Sequence, residues 1–291
     1  MPKKYIRGFC LCISVMAVLI ICIIYAVREK APLTGNIGDD YIEFFDVGQG
    51  DSALIVSNGR YCLVDTGTED SAEMLCKDLK AKGINDIDLI TVSHFHIDHT
   101  GGLYDIVSRF RVENLMFPPE MKDTTMNKKV VYAKSNVLAE DGDFYTAKIG
   151  TKITVGDFKM TVIYFNGELY GENNRSVYVM AQKGNVKFLF TGDGEYSAEN
   201  DMLNNLTDVD CDVLKVAHHG SKGATYDRFL KSCSPEYAVI SCGKGNEYGH
   251  PHEKLLNRLK SHNVEVFRTD LNGDITFSVP DNNKIFVTAD K

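Results

Sequence analysis

Residues 89–102 read LITVSHFHIDHTGG, and the rest of the chain is best read outward from them. The apolar run Leu89-Ile90-Thr91-Val92 predicts a short buried strand, and Gly101-Gly102 mark a tight turn beyond it. Between them stand His94, His96, Asp98 and His99. Imidazole nitrogens and carboxylate oxygens suit a borderline-soft divalent cation, zinc above all. A strand-to-helix turn lets such side chains converge instead of alternating. If His94 and His96 point one way and Asp98 and His99 another, two cations can be held a few ångströms apart.

Strand-like runs precede this cluster at 41–45, 53–57 and 60–64, the last two joined by Asn58-Gly59, a two-residue hairpin signal. A helix is predicted over 71–82, with Ala72, Leu75 and Leu79 on one face and a stop at Gly83. Beyond the cluster, strands are predicted at 152–155, 158–165, 176–182 and 186–191. A helix at 197–206, a strand at 212–216, a helix at 225–232, a strand at 237–241 and a helix at 252–262 follow. Strands cluster, and helices fall where they can cover outer faces. This order predicts an α/β architecture of two sheets packed face to face, each covered by helices.

The N-terminus is of another kind. Residues 8–27 carry no charge, and about 20 apolar residues is the length a helix needs to cross a bilayer. Lys3, Lys4 and Arg7 precede the run and Arg28, Glu29 and Lys30 follow it, a bias that keeps the N-terminus cytoplasmic. The expected organisation is a cytoplasmic stub and transmembrane anchor (1–30), a linker (31–40) and an extracytoplasmic domain (41–291). Cleavage near Ala26 would instead give a secreted protein, although the apolar run is longer than a signal peptide needs. The first 30 residues hold five basic and one acidic side chain, so the remainder carries −12 against −8 for the whole chain. That field opposes loose attraction to nucleic acid. Of the eight cysteines, five lie beyond the apolar run and none forms a CxxC pair, so neither a disulfide framework nor a zinc knuckle is predicted.

The run HFHIDHTGG (94–102) resembles the HxHxDH signature of the metallo-β-lactamase superfamily. Asp65 in LVDTG matches that family's structural aspartate, and Asp193 in FLFTGDGE (188–195) resembles the carboxylate that bridges its two metals. FFDVGQGDS (44–52), NNRSV (173–177), VAHHGS (216–221) and YGHPH (248–252) together resemble the metallo-β-lactamase domain of ComEC-type competence proteins, over roughly residues 40–290. The resemblance implies a four-layer αββα sandwich, here preceded by a single transmembrane helix, and a site for two zinc ions, with manganese as an alternative. Two close cations lower the pKa of a shared water and stabilise charge on attacking and leaving oxygens.

The expected ligands are His94, His96, Asp98, His99, Asp193 and one of the pair His218/His219. His218 is the favoured ligand and His219 the substrate-facing member; Asp98, His219 and His250 are the expected catalytic residues. His250 is placed to donate a proton to a leaving oxygen, while His252 equally suits a helix start. Asp46 and Asp51 are candidates to orient ligand histidines. Many family members carry a further histidine between HxHxDH and the bridging aspartate, but this chain has none between His99 and His218. Asn174 or Ser176 falls where that ligand is expected, which leaves single-metal occupancy open.

For substrate, the resemblance implies a phosphoester or phosphodiester, in nucleic acid or a wall polymer. Arg175, Lys215, Lys222 and Lys244 lie near the motifs and are candidates to pair with phosphate. A phosphorylcholine substrate requires an aromatic cage, for which the 14 tyrosines provide material. A β-lactamase is disfavoured by the missing histidine. A binding module that keeps a structural metal is the non-enzymatic alternative, and the sequence sets no oligomeric state.

Overall fold

The computed structural model describes residues 40–120, 128–205 and 208–291. The predicted membrane span at 8–27 lies outside them, as does the predicted linker except for its last residue. Among the described residues, no helix is long and apolar enough to cross a membrane.

Alternation along the central strands explains the layering. In Ser52–Ser57, Ala53 and Ile55 face one apolar cluster while Leu54 and Val56 face another. Arg60–Thr66 repeats the pattern, with Cys62 and Val64 on one side and Leu63 on the other. Both faces of these strands are therefore buried, as a sheet between two layers requires. Asn58 and Gly59 both take positive φ (51° and 71°) in the hairpin between them, the backbone a tight two-residue turn demands.

Among the described residues the strands form two large mixed sheets and one two-stranded pair. The first large sheet runs in the order Phe286–Ala289, Ile275–Ser278, Tyr41–Phe44, Ser52–Ser57, Arg60–Thr66, Leu89–Thr91, Asn114–Phe117, Asp143–Thr146. The second runs Glu265–Arg268, Tyr237–Ile240, Val213–Lys215, Val186–Phe190, Tyr178–Lys183, Phe158–Tyr164, Lys152–Val155. Each sheet is antiparallel at one end and parallel at the other.

One core cluster joins the two sheets, contributed by Ile55 and Phe44 from the first and Val179 and Phe188 from the second. Another packs the first sheet against helices Ala72–Ala81, Leu103–Arg109 and Lys128–Ala139, and a third packs the second sheet against Tyr196–Asn205, Asp227–Cys233 and Glu253–Ser261. The order is thus helix, sheet, sheet, helix. Helix Ala72–Ala81 shows why: Ala72, Leu75, Cys76 and Leu79 form one buried stripe, and Gly83 at φ 78° ends the segment.

Two departures from the pattern-based reading have local causes. No element is predicted within 103–146, yet among its described residues that run contains two helices and two strands of the first sheet. The strand predicted from Ser176 begins at Tyr178, after a 3-10 turn over Asn173–Arg175, because the Ser176 hydroxyl accepts the Asp193 amide at 3.0 Å.

Candidate metal centre

Loops after the carboxyl ends of parallel strands meet at one edge of the sandwich, where open α/β sheets place their ligand sites. Leu89–Thr91 leads to His94, Val213–Lys215 to His218 and His219, and Tyr237–Ile240 to Ser241 and the loop that carries His250. Val186–Phe190, parallel to Val213–Lys215, leads to Asp193. His96 precedes the short helix Ile97–Thr100, which carries Asp98 and His99. His218 and His219 both take left-handed backbone (φ 51° and 52°), as does Asp65 (φ 59°). Such conformations in residues other than glycine cost on the order of 1 kcal/mol or more and persist where the surroundings impose them.

Potential ligand atoms fall into two groups that share one carboxylate: His94, His96 and Asp193 in the first, and Asp98, His99, Asp193 and His219 in the second. His94 Nε2 and His96 Nδ1 are 3.0 Å apart. In the second group His219 Nε2 lies 3.1 Å from Asp98 Oδ2, and His99 Nε2 lies 3.2 Å from Asp193 Oδ1. Asp193 turns Oδ1 toward the second group and Oδ2 toward His94 Nε2, at 3.8 Å. Tetrahedral zinc with bonds of about 2.0–2.1 Å sets neighbouring ligand atoms roughly 3.3 Å apart, so these spacings fit. His99 Nε2 and Asp193 Oδ1 are also buried without a hydrogen-bond partner in the protein, an unfavourable arrangement that a shared cation resolves.

His94, His99 and His219 are each held from outside by the other ring nitrogen. His99 Nδ1 is 2.8 Å from Asp65 Oδ2, and Asp65 is fixed in turn by the Ser93 amide and hydroxyl at 2.7 and 2.8 Å. His219 Nδ1 lies 3.0 Å from the Ser241 carbonyl and 3.2 Å from Asp51 Oδ1. His94 Nδ1 faces the Ser93 hydroxyl at 3.1 Å. His96 Nε2 lies 3.7 Å from Glu172, whose other oxygen accepts the Phe95 amide. Partners of this kind set the tautomer and aim of a metal-binding histidine.

The electrostatics ask for positive charge. Burial pulls the His99 imidazole down, but the carboxylates of Asp193 and Asp65 outweigh it and raise its pKa well above the ordinary value. His219 behaves alike, raised to about 10 by Asp193 and Asp51 against the effect of burial. Burial raises the Asp193 carboxyl, yet His219, His99 and His94 hold it well below the usual range. His94 is lowered, by burial first and by His99 next. A nest of carboxylates that loads its histidines with protons will exchange those protons for a cation.

The remaining candidates sort themselves by contact. His219, not the favoured His218, joins the second ligand group; His218 instead sets Nδ1 3.0 Å from Glu195 and stands 3.9 Å from Asp193. Asn174 does not face the histidines. Its Oδ1 accepts the amides of Glu195 and Ala198 and its Nδ2 donates to the Tyr170 carbonyl, so its polar atoms are spent on backbone. Ser176 fixes Asp193 through the backbone amide and lies 3.5 Å from His94 Nδ1. Asp46 is directed outward to Lys291 at 3.5 Å and orients no ligand.

Of the candidate phosphate partners, Lys215 is buried and paired with Asp51 at 2.6 Å, and Arg175 donates to the Leu169 carbonyl. Lys222 and Lys244 are exposed. Glu172, Asn173, Glu195 and Gln49 are further polar groups of the site that no sequence motif singles out, although Asn173 opens NNRSV with Glu172 just before it, Glu195 ends FLFTGDGE and Gln49 lies within GQGD. Asn173 sets Nδ2 3.4 Å from His218 Nε2 and keeps a buried, unpartnered Oδ1.

A cleft of about 520 Å³ opens above these groups, lined by residues that include Asp98, Asn173, Asp193, His219, Tyr248 and His250. None of its described lining residues is lysine or arginine. His250 stands between His218 and the Tyr248 ring, with Nδ1 3.4 Å from the Gln49 amide nitrogen. Burial, then the neighbouring His218, His219 and His252, lowers its pKa to about 4.

Known proteins place this geometry. The model of the metallo-beta-lactamase superfamily matches residues 45–244. ComE operon protein 3 of Bacillus subtilis (strain 168) is 31% identical over 258 residues, covering 81% of this chain and 32% of that protein. Competence protein ComA of Neisseria gonorrhoeae is 28% identical over 240 residues, with 82% and 32% covered. The chain thus spans about a third of the length of these curated relatives. Among solved structures, the metallo-beta-lactamase fold protein YhfI from Bacillus subtilis shares the fold, with a TM-score of 0.52 at 15% identity over 79% of this chain and 96% of that one. With its two sheets, its buried histidine and aspartate groups and these matches, the chain belongs to the metallo-beta-lactamase superfamily.

Proposed function

We propose that the protein is a two-metal phosphodiester hydrolase. The observation that carries this reading is the pair of ligand groups sharing Asp193 on the floor of an open cleft. Divalent ions held there, zinc or manganese, would supply an ionised water at neutral pH and offset charge on phosphoryl oxygens. Asp193 ties the two groups together, and Asp98 and His219 hold one another across the second. His250, on the cleft wall and with its pKa lowered to about 4, is a neutral imidazole near pH 7, placed to hydrogen-bond a substrate oxygen. Tyr248, exposed and stacked on His250, offers an aromatic ring to a substrate in the cleft.

The relatives named for competence, together with Recombination protein 2 of Haemophilus influenzae, favour a nucleic-acid phosphodiester. A cleft wall without lysine or arginine and an acidic chain favour a compact diester over a long polyanion, which is bound through many basic contacts. That same wall supports a second reading, a small or cationic wall-polymer headgroup. As part of the proposal, residues 8–27 anchor the domain outside the membrane; its support is their apolar length and the basic flank.

The test is hydrolysis of bis(p-nitrophenyl) phosphate by the full-length protein in detergent, with zinc or manganese added. Turnover lost in Asp98→Ala is the expected result. Inactivity with every metal between about pH 6 and 9 would leave a metal-containing binding module, and cleavage of nitrocefin alone would point to a β-lactamase. Single-stranded DNA and a choline-bearing wall polymer, compared on the same sample, separate the two substrate readings.

A further inference from the structure

Lys215 ends a central strand in which Val213 faces the core between the sheets and Leu214 the helix side. Alternation aims the Lys215 side chain back between the sheets, where it is only 4% exposed. A buried ammonium costs several kcal/mol unless it is paired. Here Nζ lies 2.6 Å from Asp51 Oδ2 and donates to the Val216 carbonyl at 3.0 Å. The other Asp51 oxygen faces His219 Nδ1 at 3.2 Å, and Asp51 Oδ2 is 3.9 Å from His99 Nδ1. Asp51, Asp65 and His99 bring three potential ligand atoms within 4.8 Å of one another. Beneath the two ligand groups there is thus a third acidic nest, and the cation paired into it belongs to the chain itself.

We infer that Lys215 is a positioning residue for the second ligand group: its ammonium fixes Asp51, whose Oδ1 stands 3.2 Å from His219 Nδ1 and backs the hydrogen bond by which the Ser241 carbonyl, at 3.0 Å from that nitrogen, aims the imidazole at Asp98 and Asp193. This rests on the metal-binding reading of the site. Without the ammonium, Asp51 is an uncompensated buried carboxylate beside His99 and His219. With that anchor gone, the carboxylate is no longer held in place, and its Oδ1 shifts from beside His219 Nδ1, which loosens the imidazole's aim. If both charges are removed together, the burial penalty disappears, and an asparagine Oδ1 can still occupy the place beside His219 Nδ1.

The test measures zinc stoichiometry and affinity by equilibrium dialysis on the full-length protein in detergent, for wild type, Lys215→Met and the double variant Asp51→Asn/Lys215→Met. The expected result is two ions in wild type, a second-ion affinity about 10–100-fold weaker in Lys215→Met with the first ion retained, and recovery to within about tenfold in the double variant. An unchanged second-ion affinity in Lys215→Met overturns the inference, as does a folded double variant that has lost that ion. Should Lys215→Met fail to fold, the double variant decides alone. Wild type that binds no ion overturns the metal reading itself, and this inference with it.

Discussion

The carbonyl oxygen of Asp98 accepts the Asp51 amide at 3.1 Å, and a Cβ placed on Gly50 would lie 2.4 Å from that same oxygen. The GQGD turn therefore rests directly on the backbone of the HxHxDH turn, and only glycine permits the approach. Gly50→Ala is expected to push Asp98 out of the second ligand group. The result is a stability loss of roughly 1–3 kcal/mol and weaker metal binding, read by thermal unfolding and metal content.

The two adjacent histidines give a sharper contrast. His219→Ala is expected to remove the second ion, because His219 belongs to that group. His218→Ala is expected to keep both ions and change turnover only, because His218 pairs with Glu195. Metal content per chain separates the two variants, and equal losses would contradict the assignment.

Asp193 is common to both groups. Asp193→Asn keeps the shape but removes the charge that two cations would share. Expected outcomes are loss of both ions and a fall in bis(p-nitrophenyl) phosphate turnover of at least about 100-fold, on the order of 3 kcal/mol of transition-state stabilisation.

Chelation should lower the melting temperature, because a bound ion stabilises the folded state by mass action. Zinc at 100 times its Kd contributes about 2.7 kcal/mol. Thermal unfolding with and without a chelator measures it. In Asp193→Asn the chelator should have little effect.

Glu199 is buried at 2% exposure and accepts the backbone amides of Thr225 and Tyr226. Burial raises its pKa from 4.5 to about 7, with those amides and Arg258 opposing the shift. The folded state therefore holds this proton more tightly than the unfolded chain does. Its contribution to stability is complete below about pH 4.5 and is lost as pH rises through about 7, by roughly 3 kcal/mol at most. Glu199→Gln should flatten that part of the stability profile, and an identical pH profile in the variant would contradict the assignment.

Much of the layered fold was legible in the chain. Short apolar runs such as 53–57 marked strands, the 72–79 stripe marked a helix, and Asn58-Gly59 marked a hairpin, because these patterns are set by backbone geometry within a few residues. The strands within 103–146 stayed illegible, because they depend on pairing with Leu89–Thr91 and with each other, which no local period encodes, whereas the helix Leu103–Arg109 carries Leu103, Ile106 and Val107 at helical spacing.

The sequence by itself determined the chemistry available, since HFHIDH places imidazoles and a carboxylate on one turn and leaves a divalent cation as their natural partner. Only the tertiary structure decided which neighbour meets which partner: His219 joins the group of Asp98 while His218 faces Glu195, Asp51 and not Asp46 stands beside His219, Asn174 spends its polar atoms on backbone, and Lys215 lies inside the protein and not on its surface. Adjacent residues of like chemistry are equivalent along the chain, and a left-handed backbone turn or one step of strand alternation sends one inward and the other out.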